Sequence, residues 1–133
     1  MDRDLLSTPP GFTMTKCHSV LIVDDDARLA DTFASALRQV GFDTCAAHSG
    51  MHGYSSYFRN PTDWVVTDIE MGEINGIEMM RCIRAINPTV KTIYMSAAAE
   101  KYSPALATES REFAAKVLRK PFAWKHLIEQ ITG

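Results

Sequence analysis

The chain has 133 residues, 46% hydrophobic and 23% charged, with a formal charge of −2 and a pI near 6.0. That is one domain's length, enough to bury about two-thirds of the surface exposed by the unfolded chain, and the scatter of 14 basic among 16 acidic residues argues against the basic stripe of a nucleic-acid surface. Three cysteines without a Cys-x-x-Cys spacing, Cys17, Cys45 and Cys82, suggest neither a disulfide framework nor a zinc site, and the absence of a long apolar run or signal-peptide pattern at Met1-Asp2-Arg3-Asp4 points to a cytoplasmic chain of reduced thiols.

Residues 1–17 mix charges with Ser7, Thr8, Pro9, Pro10 and Gly11 and show no period, which reads as a disordered or loosely docked N-terminal arm preceding a single domain over 18–133. Val20 to Val23 forms a first apolar strand. Asp26 is placed to cap a helix in which Leu29, Phe33, Ala36, Leu37 and Val40 recur at helical spacing, and Gly41 stops it. Phe42 to Ala46 reads as a weaker strand, and the stretch from Ser49 to Arg59, interrupted by Gly50 and Gly53, as a poor helix. Asn60-Pro61 then punctuates the chain before the run Trp64-Val65-Val66-Thr67-Asp68.

A loop through Gly72 and Asn75-Gly76 leads to a helix whose apolar face is Ile77, Met79, Met80, Ile83 and Ile86, closed by Asn87-Pro88. Val90 to Met95 is a fourth strand. Ser103 and Pro104 suit the N-cap and first position of a helix to Phe113 with a thin apolar face. Lys116 to Arg119 is a fifth strand, and Trp124, Leu127, Ile128 and Ile131 line the last helix. Met71, Met79, Met80 and Met95 read as core, Trp124 as core or interface, and His18, His48, His52 and His126 as surface or loop residues. Five strands alternating with helices imply an α/β fold, doubly wound about a parallel sheet with right-handed crossovers.

Ligands of such sheets gather outside the carboxyl ends of the strands. Four polar groups fall at strand ends: the run Asp24-Asp25-Asp26, Asp68, Ser96 and Lys120. Carboxylates brought together there repel by about 4 kcal/mol at 4 Å and an effective dielectric of 20, so a cation should bind between them. Magnesium, which takes one or two carboxylates and leaves other positions to water or phosphate oxygens, suits Asp25 and Asp68. Asp68 can then attack phosphorus as a carboxylate nucleophile, with Lys120 as a point charge and Ser96 as a hydroxyl donor to the phosphoryl oxygens.

Leu21-Ile22-Val23-Asp24-Asp25-Asp26, Val66-Thr67-Asp68-Ile69-Glu70-Met71 with Asn75-Gly76, Tyr94-Met95-Ser96-Ala97 and Lys120-Pro121-Phe122 together resemble the receiver domain of two-component response regulators, from about Ser19 to the C-terminus. The resemblance implies a flavodoxin-like (βα)5 fold with strand order 2-1-3-4-5. It implies that Asp68 is the phosphoacceptor, Asp25 a direct magnesium ligand, the backbone carbonyl of Glu70 a third protein ligand, and Asp24 a neighbour that orients metal-bound water. Ser96 would be the switch hydroxyl, and Lys120, before a Pro121 that is usually cis in the family, would pair with the phosphoryl group. The donor would be a histidine kinase or phosphotransfer protein, and the output a protein contact through the fourth helix, fifth strand and last helix.

Three departures stand out. Gly72 replaces the usual proline after methionine, Val117 takes the position of a common switch aromatic, and the chain ends soon after the last helix, without an output domain. Two other readings compete: a phosphorylation-independent pseudo-receiver that only binds partners, and a magnesium-dependent phosphatase or phosphotransferase, for which the chain has little room for a substrate cap. On the leading reading the chain assists its own phosphorylation and dephosphorylation and is not an enzyme with an external substrate.

Overall fold

The computed structural model describes residues 18–132, so the expected N-terminal arm lies outside the described residues. Five strands alternate with five helices: β1 Ser19–Val23, α1 Ala27–Gln39, β2 Asp43–Ala47, α2 Gly50–Arg59, β3 Trp64–Asp68, α3 Gly76–Ile86, β4 Lys91–Ser96, α4 Ser103–Phe113, β5 Lys116–Arg119 and α5 Trp124–Thr132. All pairings are parallel and the order is β2-β1-β3-β4-β5, which is the doubly wound, flavodoxin-like arrangement expected.

Each strand alternates its side chains between two helical layers. Val20, Ile22, Val66, Ile93 and Met95 face α1 and α5 through Phe33, Leu37, Leu127 and Ile131. Leu21, Val23, Val65 and Tyr94 face the other layer through Tyr57, Met79, Met80, Ile83 and Leu106. Burial on both sides explains why β3, buried at all five positions, reads as a continuous apolar run.

The helix ends have local causes. Asp26 Oδ1 accepts from Leu29 N–H at 3.2 Å, and Asn75 and Glu78 close a reciprocal capping box ahead of α3. Gly41, at φ 103°, closes α1 in a Schellman arrangement, its N–H donating to Arg38 and that of Phe42 to Leu37.

Several expectations need correction. Ser103 is the first residue of α4, not its cap; the chain enters through a 3-10 turn, Ala99–Tyr102, and the capping position falls on Tyr102 without a side-chain bond. The stretch after Ser49 is a regular helix, because the glycines counted against it are contact points: a Cβ on Gly50 would collide with Ile74, and one on Gly53 would lie 2.7 Å from Met79 Sδ. The apolar faces of α1 and α3 each overran by one position, since Val40, the C-cap of α1, and Ile86, the last residue of α3, are exposed, as is Trp124 at the start of α5. The four methionines are core, and His48, His52 and His126 are exposed. Cys45 and Cys82 are free thiols. No helix among the described residues is long and apolar enough to cross a membrane.

Candidate functional site

β1 and β3 lie side by side at the centre of the sheet, with Val23 opposite Thr67. Their carboxyl ends therefore deliver Asp24 and Asp68 to one place. Asp24 is 1% exposed and Asp68 9%, while Asp25 is exposed; one carboxylate oxygen from each of the three lies within 4.8 Å of the others. β5 sends Lys120 in from the far side of β4. Its ammonium sits 2.9 Å from Asp24 Oδ2 and 3.7 Å from Asp68 Oδ1.

The backbone is shaped to hold these groups. Asp24 Oδ1 accepts from Asp26 N–H at 2.9 Å, and Asp68 Oδ1 from Ile69 N–H at 2.9 Å. Behind Asp68, Gly76 N–H donates to the Ile69 carbonyl at 2.8 Å, and a Cβ at Gly76 would collide with the Asp68 carbonyl oxygen. Glycine after Asn75 is required because α3 begins against the backbone of the site strand. Gly72, at φ 76°, turns the intervening loop.

Ser96 ends β4 at 2% exposure. Its Oγ accepts from Ala98 N–H at 3.0 Å, which leaves its proton to donate, and its carbonyl accepts from Lys120 N–H at 2.9 Å, tying the two residues together. The Lys120-Pro121 peptide is cis. Val117 is 38% exposed and pairs in register with Tyr94 on β4; the aromatic ring at this level of the sheet stands one strand further in.

Electrostatics favour a hard cation. Burial first, and then the charges of Asp24 and Asp25, push the Asp68 carboxyl up to about 6 against the opposing pull of Lys120 and the Ile69 N–H. Burial alone would lower Lys120, but the Asp24 hydrogen bond and the charges of Asp24 and Asp68 outweigh it and hold the ammonium above its ordinary value. Three carboxylates against one ammonium leave negative charge uncompensated, and an all-oxygen donor set open on the Asp25 side fits a magnesium-class ion.

Glu70 contributes a contact that sequence reasoning missed. Its carboxylate accepts from Lys101 Nζ and from the Tyr102 hydroxyl, both at 2.9 Å, and these bonds, Lys101 first, lower its pKa. The 3-10 turn is thus fastened beside the site. No periodicity marks this pairing, since Glu70 lies in a loop and its partners in a short 3-10 turn.

A doubly wound domain with a carboxylate cluster at the carboxyl edge of its central strands is the class these features define. The model of the response regulator receiver domain matches residues 20–132, and the chain belongs to that family, the receiver component of two-component signalling. It is 31% identical over 117 residues to the DNA-binding response regulator MtrA of Mycobacterium tuberculosis, covering 88% of this chain and 50% of that protein. It is 28% identical over 124 residues to the transcriptional regulatory protein ZraR of Escherichia coli O157:H7, covering 85% of this chain and 28% of that protein. The chain thus spans half the length, or less, of these relatives. Among solved structures, a response regulator receiver domain from Clostridium thermocellum superposes with a TM-score of 0.76 at 26% identity, over 86% of this chain and 90% of that one. The response regulator TrrA of Thermotoga maritima, solved in complex with Mg2+ and BeF, superposes with a TM-score of 0.73 at 25% identity, over 86% and 96%.

Proposed function

We propose that Asp68 is the phosphoacceptor of a phosphorylation switch, loaded by a histidine kinase or a histidine phosphotransfer protein. The observation that carries the reading is the convergence of Asp24, Asp25 and Asp68 within 4.8 Å, with the Lys120 ammonium 3.7 Å from Asp68. An Asp68 carboxylate oxygen attacks phosphorus, the P–N bond of the donor phosphohistidine breaks, and its electron pair stays on the imidazole nitrogen, which then takes up a proton. The phosphoryl group ends as a mixed anhydride on Asp68. Asp25, Asp68 and the Glu70 backbone carbonyl would hold magnesium, with Asp24 acting through a bound water. When bound, the ion supplies positive charge to the phosphoryl oxygens.

The protein's own side chains do the rest. Lys120, already drawn between two carboxylates, meets the new charge of roughly −1.5 to −2, and Ser96 donates its hydroxyl proton to a phosphoryl oxygen. These contacts favour one of two pre-existing arrangements, and the face formed by α4, β5 and α5 changes its affinity for a partner protein.

The test is the intact mass of wild type and Asp68→Asn after incubation with acetyl phosphate, with and without magnesium. The expected result is a single phosphoryl adduct in wild type only, dependent on magnesium and labile to hydroxylamine. No adduct under any condition moves the chain to a phosphorylation-independent binding module, and steady turnover of a small phosphate ester would instead mark a phosphatase.

A further inference from the structure

Behind the site, a buried charge network ties three elements together. Arg84 of α3 pairs through Nη2 with Glu109 Oε1 of α4, and the Tyr94 hydroxyl of β4 donates to the same oxygen over 2.5 Å. Glu109 is 3% exposed, Arg84 7% and Tyr94 0%. Phe113, one turn further along α4, lays its ring over the guanidinium, 3.8 Å from Cζ to the ring centroid. Arg84 Nη1 is buried without an acceptor among the described residues. Burial first, and then the Glu109 bond, push the Tyr94 phenol far above its ordinary value, which keeps the proton on the oxygen that donates to Glu109.

The network sits where apolar packing is thin. α4 buries Leu106 and Glu109, whereas α3 buries Ile77, Met79, Met80 and Ile83 as well as Arg84. A buried carboxylate–guanidinium pair returns in attraction little more than its desolvation costs. α4 is thus held by a contact that is specific in geometry yet close to balance in energy, which suits a helix with two arrangements. Tyr94 and Ser96 lie two residues apart on β4 and so point to the same face of the sheet.

We propose that Tyr94 and Glu109 are positioning residues that couple the acidic site to α4: movement of Ser96 at the end of β4 alters the Tyr94–Glu109 bond and with it the seating of α4. This inference rests on the phosphoacceptor reading. Engagement of Ser96 by a phosphoryl group on Asp68 pulls the end of β4 toward β3, the Tyr94 hydroxyl shifts from the shared oxygen, and α4 loosens on α3.

Hydrogen–deuterium exchange over residues 103–113, with and without acetyl phosphate and magnesium, tests the coupling while intact mass reports the adduct on the same samples. In wild type, phosphorylation is expected to speed exchange of α4 about tenfold. Tyr94→Phe, which keeps the ring and removes the hydroxyl, should form the adduct to the wild-type extent and change α4 exchange less than twofold. A helix seated for purely structural reasons would leave this phosphorylation-dependent difference intact. Should Tyr94→Phe fold poorly, the double variant Arg84→Met with Glu109→Leu replaces the network by apolar contact; it should exchange more slowly than wild type at rest and stop responding. An adduct in wild type with no change at α4, or a full response in either variant, overturns the coupling and leaves Asp68 as phosphoacceptor. No adduct in wild type overturns both.

Discussion

Asp68 is held against its own ionisation. Burial and two neighbouring carboxylates raise its pKa to about 6, whereas in the unfolded chain it ionises near the ordinary value of about 3.9. Between those values the folded chain keeps a proton that the unfolded chain has lost, so stability falls as pH rises through the window and the full cost stands above it. At about 1.4 kcal/mol per pKa unit the cost is at most about 3 kcal/mol. Asp68→Asn removes the charge and keeps the shape. In EDTA at pH 7.5 the variant should be more stable than wild type by about 1–3 kcal/mol, and the gain should shrink to about 0.5 kcal/mol near pH 4, where the folded carboxyl is protonated and the unfolded one about half protonated. Urea melts at the two pH values check this; an equal gain at both would assign the effect to packing and not to charge. Tolerating an unfavourable carboxylate at rest is consistent with a site that awaits a cation.

The start of α3 depends on a residue without a side chain. Gly76 has its α-carbon against the Asp68 carbonyl, where a Cβ has no room, whereas Gly41 at the end of α1 has open space and needs glycine only for its φ of 103°. Gly41→Ala should cost about 1 kcal/mol of backbone strain. Gly76→Ala must push α3 off the site strand and should cost at least about 2 kcal/mol more, despite alanine's better helix propensity; a reversed order in denaturant melts would contradict the close approach. The need for glycine after Asn75 was legible as a turn signal, but its purpose was not. The same division runs through the domain. Strands buried on both faces, the Asp26 cap and the Gly41 stop leave local marks in the sequence, and so do the strand-end residues of the site. Gly50 and Gly53 misled, because a glycine that lowers helix propensity looks the same as one that admits a neighbouring side chain. Arg84 with Glu109, and Glu70 with Lys101 and Tyr102, left no mark, because partners 25 or more residues apart meet only through the sheet order.

That dependence on sheet order makes the acidic site a property of the whole molecule. Lys120 reaches Asp24 across 96 residues of sequence, and Asp25 and Asp68 meet only when β1 and β3 are paired, so the unfolded chain offers a divalent cation no comparable cluster. A ligand that binds the folded state alone stabilises it by RT ln(1 + [L]/Kd), about 1.4 kcal/mol at tenfold excess over the dissociation constant, which for a domain of this size raises the Tm by about 5 °C. Magnesium titrated into metal-stripped wild type should therefore raise the Tm progressively, whereas EDTA should return it to the starting value. Asp25→Asn removes one exposed carboxylate without disturbing the core, so it should leave the metal-free Tm within about 2 °C of wild type and lose most of the magnesium-induced rise. Differential scanning fluorimetry across a magnesium series reads both quantities. A rise of equal size in Asp25→Asn would place the ion elsewhere on the domain, and a flat wild-type response would mean that the carboxylates meet their repulsion with Lys120 and protons alone.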